Sequence, residues 1–113
     1  MTLVATSVGL SVQTILSGTT PTDVATFPLG PNTPSCTLSI GGTFSGTVTF
    51  EVTLDGQQWW TAGFTKVSDG TIASTTTATG LFSMTNTGFA AVRARCSTYA
   101  SGSITVMCGT GLW

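Results

Sequence analysis

The chain has 113 residues, and only seven of them are charged, which gives a net charge of −1. This charged share of 6% is far below the roughly 25% of ordinary soluble domains, and three basic residues are too few for binding to a phosphate backbone. An apolar share of 41% excludes a disordered chain. The length fits one domain, and the abundance of threonine, valine and glycine favours strands joined by turns.

The first part of the chain, residues 1–34, contains all four prolines. We predict one or two extended segments within 3–16 and a crossing loop or arm over 17–34. Proline removes a backbone donor and restricts the preceding residue, so the stretch FPLGPNTPS at 27–35 is not expected to form a regular strand or helix. Residues 1–34 are therefore assigned to an extended N-terminal segment, and 35–113 to the body of a single domain.

From residue 35 onward, apolar and polar positions alternate, which is typical of half-buried antiparallel strands. Strong strands are predicted at 35–40, 46–54, 90–98 and 103–108, and weaker ones at 58–65, 71–77 and 80–85. The inward residues are predicted to be Cys36, Leu38, Ile40, Val48, Phe50, Val52, Leu54, Val92, Ala94, Cys96, Ile104, Val106 and Cys108. Turns are predicted at Gly41-Gly42, Asp55-Gly56, Asp69-Gly70, Gly80, Gly88 and Gly102. Short strands at this spacing predict an all-β sandwich or barrel.

The last two strong strands are predicted to form a hairpin with the three-residue loop Ala100-Ser101-Gly102. Gly102 would then take the left-handed conformation that such loops require. The register places Cys96 and Cys108 at diagonal positions, too far apart for an easy disulfide. With three cysteines in total and no recognisable export signal, we expect free thiols in a reducing compartment.

Adjacent tryptophans, Trp59 and Trp60, follow the turn at Asp55-Gly56. A two-residue loop would turn Trp59 inward, whereas a three-residue loop would pair Val52 with Trp60 and turn Trp60 inward. Either register leaves one indole in the core and the other outside, and both registers stay open. The outward indole is predicted to be an anchor in a protein–protein interface or, alternatively, a platform on which a sugar stacks.

Groups that could carry out catalysis are scarce in this sequence. There is no histidine, and Asp55 and Asp69 lie in Asp-Gly turns, where turn geometry explains them. Without histidine or a CxxC pair, a zinc site is not expected, and no cofactor is predicted. No apolar run approaches the length of a membrane span. The chain is therefore predicted to be a non-enzyme that binds neither nucleic acid nor membrane.

Two stretches resemble a family of small bacteriophage virion proteins with jelly-roll or β-sandwich folds. They are GTFSGTVTFEVTLDGQQWW at 42–60 and TTTATGLFSMTNTGFAAVRARCSTYASGSITVMC at 75–108. Asp55, Gly56 and Trp59 match the D-G-x-x-W hairpin of that family. Its second element, G-F/Y-A-A-hydrophobic-R-hydrophobic-R, is matched by Gly88, Phe89, Ala90, Ala91, Val92, Arg93 and Arg95.

The resemblance implies an antiparallel, jelly-roll-like β-sandwich and a structural role in a phage particle. Capsid decoration (cement) proteins of this kind commonly form trimers that clamp subunits of the major capsid protein. We therefore expect a homotrimer on the capsid surface of the virion, assembled in the host cytoplasm; the alternatives are a tail or baseplate protein and a carbohydrate-binding module. The expected contact residues are Trp60, Phe64, Arg93, Arg95, Pro28, Pro31, Leu112 and Trp113. The expected motif and core positions are Asp55, Gly56, Trp59, Val92 and Gly102.

Overall fold

The computed structural model describes residues 8–15, 24–29, 35–85 and 88–111. These residues form nine strands and no helix, and every strand pairing among them is antiparallel. The strands are β1 (Val8–Ile15), β2 (Val24–Pro28), β3 (Ser35–Thr53), β4 (Trp59–Thr61), β5 (Phe64–Lys66), β6 (Ile72–Ala73), β7 (Thr75–Thr76), β8 (Gly80–Thr85) and β9 (Ala91–Gly111). The predicted all-β, antiparallel fold class is confirmed. Within these ranges there is no helix with the length and apolarity needed to cross a membrane.

Two long strands, β3 and β9, form the centre of the fold and pair along nearly their entire lengths. In the first half of this ribbon, residues 35–45 pair with 101–111; in the second half, 46–53 pair with 91–99. β1, β8, β5 and β6 widen the first half, and β2, β4 and β7 widen the second. Buried side chains from both halves belong to one core, as in two sheets packed face to face. The arrangement is sandwich-like, and the jelly-roll topology stays a prediction.

The β3–β9 pairing has two register shifts, and together they leave the inward-facing positions of β9 unchanged. Ser45 pairs with Ser101 and Gly46 with Tyr99, so one residue of β9 is skipped, and a second shift follows between Thr47 and Val48. One extra residue turns the following side chains to the opposite face of a strand, because the side-chain period is two. Two extra residues restore the original face. The same parity of residues therefore points inward in both halves of β9.

Alternation predicts most of the core, with one exception; the core also contains Ala25, Phe27, Leu29, Phe64 and Phe82, which were not predicted. All but one of the predicted inward side chains are buried. At the centre, the ring of Phe50 lies 5.0 Å from that of Phe64 and 4.8 Å from that of Phe82. The exception is Leu54, which is 66% exposed because β3 ends at Thr53 and Leu54 begins the turn.

Two of the predicted glycine turns are wrong. β3 continues through Gly41-Gly42, and β9 continues through Ala100-Ser101-Gly102, so the predicted hairpin does not form. Gly102 does have a left-handed φ of +89°. It uses this conformation for a close approach to β3, since a Cβ atom at this position would collide with the Thr43 carbonyl. A glycine signal that resembles a turn thus marks an irregular point within a long strand.

The N-terminal segment is more regular than its prolines suggest. β1 confirms an extended segment within 3–16. The loop predicted over 17–34 is wrong at Val24–Pro28, because this stretch is β2 and pairs with Ala91–Arg95 of β9. Pro28 is the last residue of β2, and among the described residues β2 pairs with β9 alone. The backbone N–H that proline lacks is therefore not needed for a second pairing, so proline is tolerated there.

All three cysteines are free and buried. Cys96 lies opposite Val48 and Cys108 opposite Leu38, so both follow the β3–β9 pairing instead of the predicted hairpin. Cys36 hydrogen-bonds with Cys108 on the neighbouring strand. This hydrogen bond and burial raise the pKa of the Cys36 thiol above its ordinary value, which disfavours the reactive thiolate.

Candidate protein-contact site

A five-residue turn, 54–58, carries the candidate site beyond the end of β3. Asp55 Oδ1 accepts hydrogen bonds from the backbone N–H groups of Gln57 and Gln58 at 2.8 and 3.0 Å. Gly56 takes the left-handed φ of +78°. Thr53 Oγ1 donates to the Gln58 carbonyl at 2.7 Å, which joins the two ends of the turn. Asp55 and Gly56 therefore have the turn roles that the sequence predicts.

The two tryptophans occupy different environments, and neither lies in the core. Val52 pairs with Trp60 and Thr53 with Trp59. This is the register predicted for the three-residue loop, although the observed turn has five residues. Trp60 shares the side of Val52 and is nevertheless 57% exposed. The prediction that one indole enters the core is wrong, because β4 pairs only with the last three residues of β3 and lies at the margin of the sheet. Trp59 is half-buried.

A cluster of three charges, Glu51, Arg93 and Arg95, lies on the outer face beside Trp59. Arg93 Nε donates to Glu51 Oε1 at 2.6 Å, and Arg95 Nε lies 3.3 Å from each carboxylate oxygen of Glu51. The side chain of Glu51 is only 9% exposed, against 21% for Arg93 and 26% for Arg95. The guanidinium carbon of Arg93 lies 4.2 Å from the Trp59 ring centroid, a cation–π contact. The arginines are thus held in place by a carboxylate and an indole.

Sequence reasoning missed the role of Glu51 in this cluster. Glu51 and the two arginines each lie at polar positions of alternating strands, which is the signal the sequence offers. The pairing of Glu51 with Arg93 depends on the long-range register of β3 and β9. Opposite charges placed directly across two strands attract one another, so the register and the cluster support each other.

The expected contact residues fare differently. Trp60 and Pro28 are exposed. Arg93 and Arg95 are half-buried, and both lie on the face that carries Glu51. Phe64 is wrong as a contact residue, because it is fully buried against Phe50. Pro31, Leu112 and Trp113 lie outside the described residues. Among the motif positions, Val92 is fully buried in the core, as predicted.

A second exposed apolar group was not predicted. Val67, Ile72 and Leu81 are 53%, 70% and 47% exposed, and they lie in the turn after β5, on β6 and on β8, respectively. Val67 donates its N–H to the Leu81 carbonyl at 3.0 Å, so these two residues are neighbours. Among the described residues, no three His, Cys, Asp or Glu side chains are grouped so that they could hold a metal ion.

The turn at Asp55 gives a prediction about pH. The N–H groups of Gln58 and Gln57 hold the pKa of the Asp55 carboxyl below its ordinary value. A lowered folded pKa contributes stability above the unfolded value of roughly 4, and the contribution is lost as pH falls through the folded value. We expect an NMR titration to place the Asp55 pKa below the ordinary value of an aspartate carboxyl, and Asp55→Ala to speed amide exchange at Gln57 and Gln58 more than Asp55→Asn does. An Asp55 carboxyl that titrates at its ordinary value would contradict the hydrogen bonding.

Comparison with known proteins identifies the fold. No protein-family model and no curated protein sequence matches the chain. Among solved structures, the SPBc2 prophage-derived protein YomS is similar with a TM-score of 0.75 and 20% identity, over 96% of this chain and 98% of YomS. The PBSX exported protein XepA is similar with a TM-score of 0.73 and 16% identity, over 92% of this chain and 38% of XepA. The chain thus shares its fold with nearly all of YomS and with a little over a third of XepA.

Proposed function

We propose that this chain is a non-enzymatic structural protein of a bacteriophage particle. The observation that carries the proposal is the end-to-end match with YomS, a prophage-derived protein of nearly the same extent. The resemblance of 42–60 and 75–108 to phage virion proteins supports the same class from the sequence. More specifically, we propose a capsid decoration protein that binds the major capsid protein as a homotrimer on the surface of the virion.

The exposed side chains in and around the turn 54–58 support a role in protein contact. Trp60 and Leu54 are 57% and 66% exposed; Leu54 begins the turn, and Trp60 follows it on β4. The neighbouring Trp59 contacts Arg93. Tryptophan and arginine are the residues most enriched at the energetic centres of interfaces. A surface with so few charges also has little repulsion to oppose association. A protein that binds only the assembled shell would stabilise it by mass action.

The test uses particles of the encoding phage made with the gene for this chain deleted. We expect the chain to be present in purified wild-type particles, and the purified chain, measured by light scattering, to be a trimer that saturates the deletion particles. Trp60→Ala is expected to weaken binding about tenfold or more. The control is Ile72→Ala, which removes an apolar side chain that is 70% exposed on another part of the surface. A chain that is missing from wild-type particles and ignores deletion particles would refute the proposal.

Two further placements remain as alternatives. A tail or baseplate position would appear in the same experiment as binding to tails in place of capsids. A carbohydrate-binding role is suggested by the exposed Trp60 beside the exposed amides of Gln57 and Gln58. It predicts specific hits on a glycan array that are lost in Trp60→Ala.

A further inference from the structure

The two arginines of the cluster use only part of their hydrogen-bonding capacity. A guanidinium has five N–H donors. Arg93 and Arg95 each donate to Glu51 through Nε, and their terminal amino groups have no acceptor among the described residues. No buried side-chain nitrogen or oxygen atom in the described part of the chain lacks a partner, so these amino groups are in contact with solvent. Each arginine thus keeps solvent-accessible terminal amino groups that can donate to a further acceptor.

The two arginines lie close together and carry an excess positive charge. Arg93 and Arg95 are two residues apart on β9, so they lie on the same face, roughly 7 Å apart along the strand. Glu51 neutralises one of the two positive charges, which leaves the cluster with an excess of one. The Trp59 ring limits the motion of the Arg93 guanidinium, so little side-chain freedom remains to be lost on binding.

We propose that Arg93 and Arg95 form a receptor for one carboxylate group of the protein that this chain contacts. The inference rests on the proposed function and specifies the chemistry of its partner. The planar end of a guanidinium matches the two oxygens of a carboxylate, and one carboxylate would bring the charge of the cluster to zero. A phosphate of nucleic acid or lipid fits less well, because the entire chain has only three basic residues.

The experiment measures binding of the chain to the deletion particles described above. Arg95→Lys keeps the positive charge and removes the planar fork, and Arg95→Gln removes both. The matched control is Lys66→Gln, which removes one positive charge on β5, away from the cluster. We expect Arg95→Lys to weaken binding about tenfold, Arg95→Gln to weaken it more, and Lys66→Gln to change it less than about twofold. Thermal melts establish that each variant is folded.

A second measurement needs no variant of the chain. When the surface carboxylates of the particles are amidated with carbodiimide and glycinamide, we expect binding of the unchanged chain to fall at least tenfold. If the unchanged chain binds well and neither the arginine variants nor amidation weakens binding, the receptor inference is overturned while the proposed function stands. If the chain binds no particle component, both fail. Binding to duplex DNA or to phosphatidylglycerol vesicles that is lost in Arg95→Gln would identify a phosphate ligand and overturn the inference.

Discussion

Truncation of Phe50 to alanine is expected to lower the free energy of unfolding by about 4 kcal/mol, within the range measured for buried phenylalanine. Phe50 is fully buried, and its ring contacts those of Phe64 and Phe82 at centroid distances of 5.0 and 4.8 Å. The truncation would therefore remove apolar contacts and leave a cavity between two other rings. Urea denaturation followed by far-UV circular dichroism measures the loss.

The control for Phe50→Ala is Trp60→Ala, which removes a larger aromatic ring from an exposed position. Trp60 is 57% exposed, so we expect its truncation to change the free energy of unfolding by less than about 1 kcal/mol. Equal losses for the two variants would show that Phe50 does not occupy the centre of the core. A collapse of the site around the shortened side chain would reduce the loss for Phe50→Ala toward 2 kcal/mol but would leave the order of the two variants unchanged.

Gly102→Ala is expected to cost about 3 kcal/mol or more, because it combines an unfavourable backbone angle with a collision. The φ of +89° at Gly102 disfavours any side chain. The added methyl group would also meet the Thr43 carbonyl and the backbone of Phe44, so β3 and β9 would have to separate locally. The free energy of unfolding, measured by urea denaturation, reports the sum of both effects.

Two other glycines separate these effects. Gly56 has a similar φ of +78° but open space around it, so Gly56→Ala is expected to cost about 1 kcal/mol through the backbone angle alone. Gly109 has neither a left-handed φ nor a nearby atom, and Gly109→Ala is expected to be close to neutral. If Gly102→Ala cost no more than Gly56→Ala, the close approach between β3 and β9 would be disproved.

Local features of the sequence predict which residues are buried better than they predict which strands pair. Alternation identifies Leu38, Phe50 and Val106 as core residues because the period of two belongs to each strand separately. The path of the chain at Gly102 depends on a strand far away in sequence. A glycine at this position is compatible with a hairpin turn and with an irregular point inside a strand. The close approach of the Gly102 backbone to the Thr43 carbonyl shows that it is the second.

In the candidate site too, local features are predictable from the sequence and long-range pairings are not. The turn at Asp55 is local, and its side chain bonds to residues two and three positions later, so the sequence predicts it. The exposure of Trp60 depends on where the sheet ends, and the Glu51–Arg93 pair depends on the long-range register. Neither is encoded in a short stretch of sequence. Phe64 was misassigned for a similar reason, since its burial against the Phe50 ring depends on how β5, which pairs with β6 and β8, lies relative to β3.

The long β3–β9 ribbon has a consequence for how the chain reaches its native state. Ser35 pairs with Gly111, and the register then runs inward along both strands, so the two central strands meet only after everything between them has been synthesised. Pairing across such a separation closes a large loop, which is slow compared with local contacts. Until β9 leaves the ribosome, the apolar residues of β3 lack their main partner. Newly made chains are therefore most exposed to aggregation during this interval.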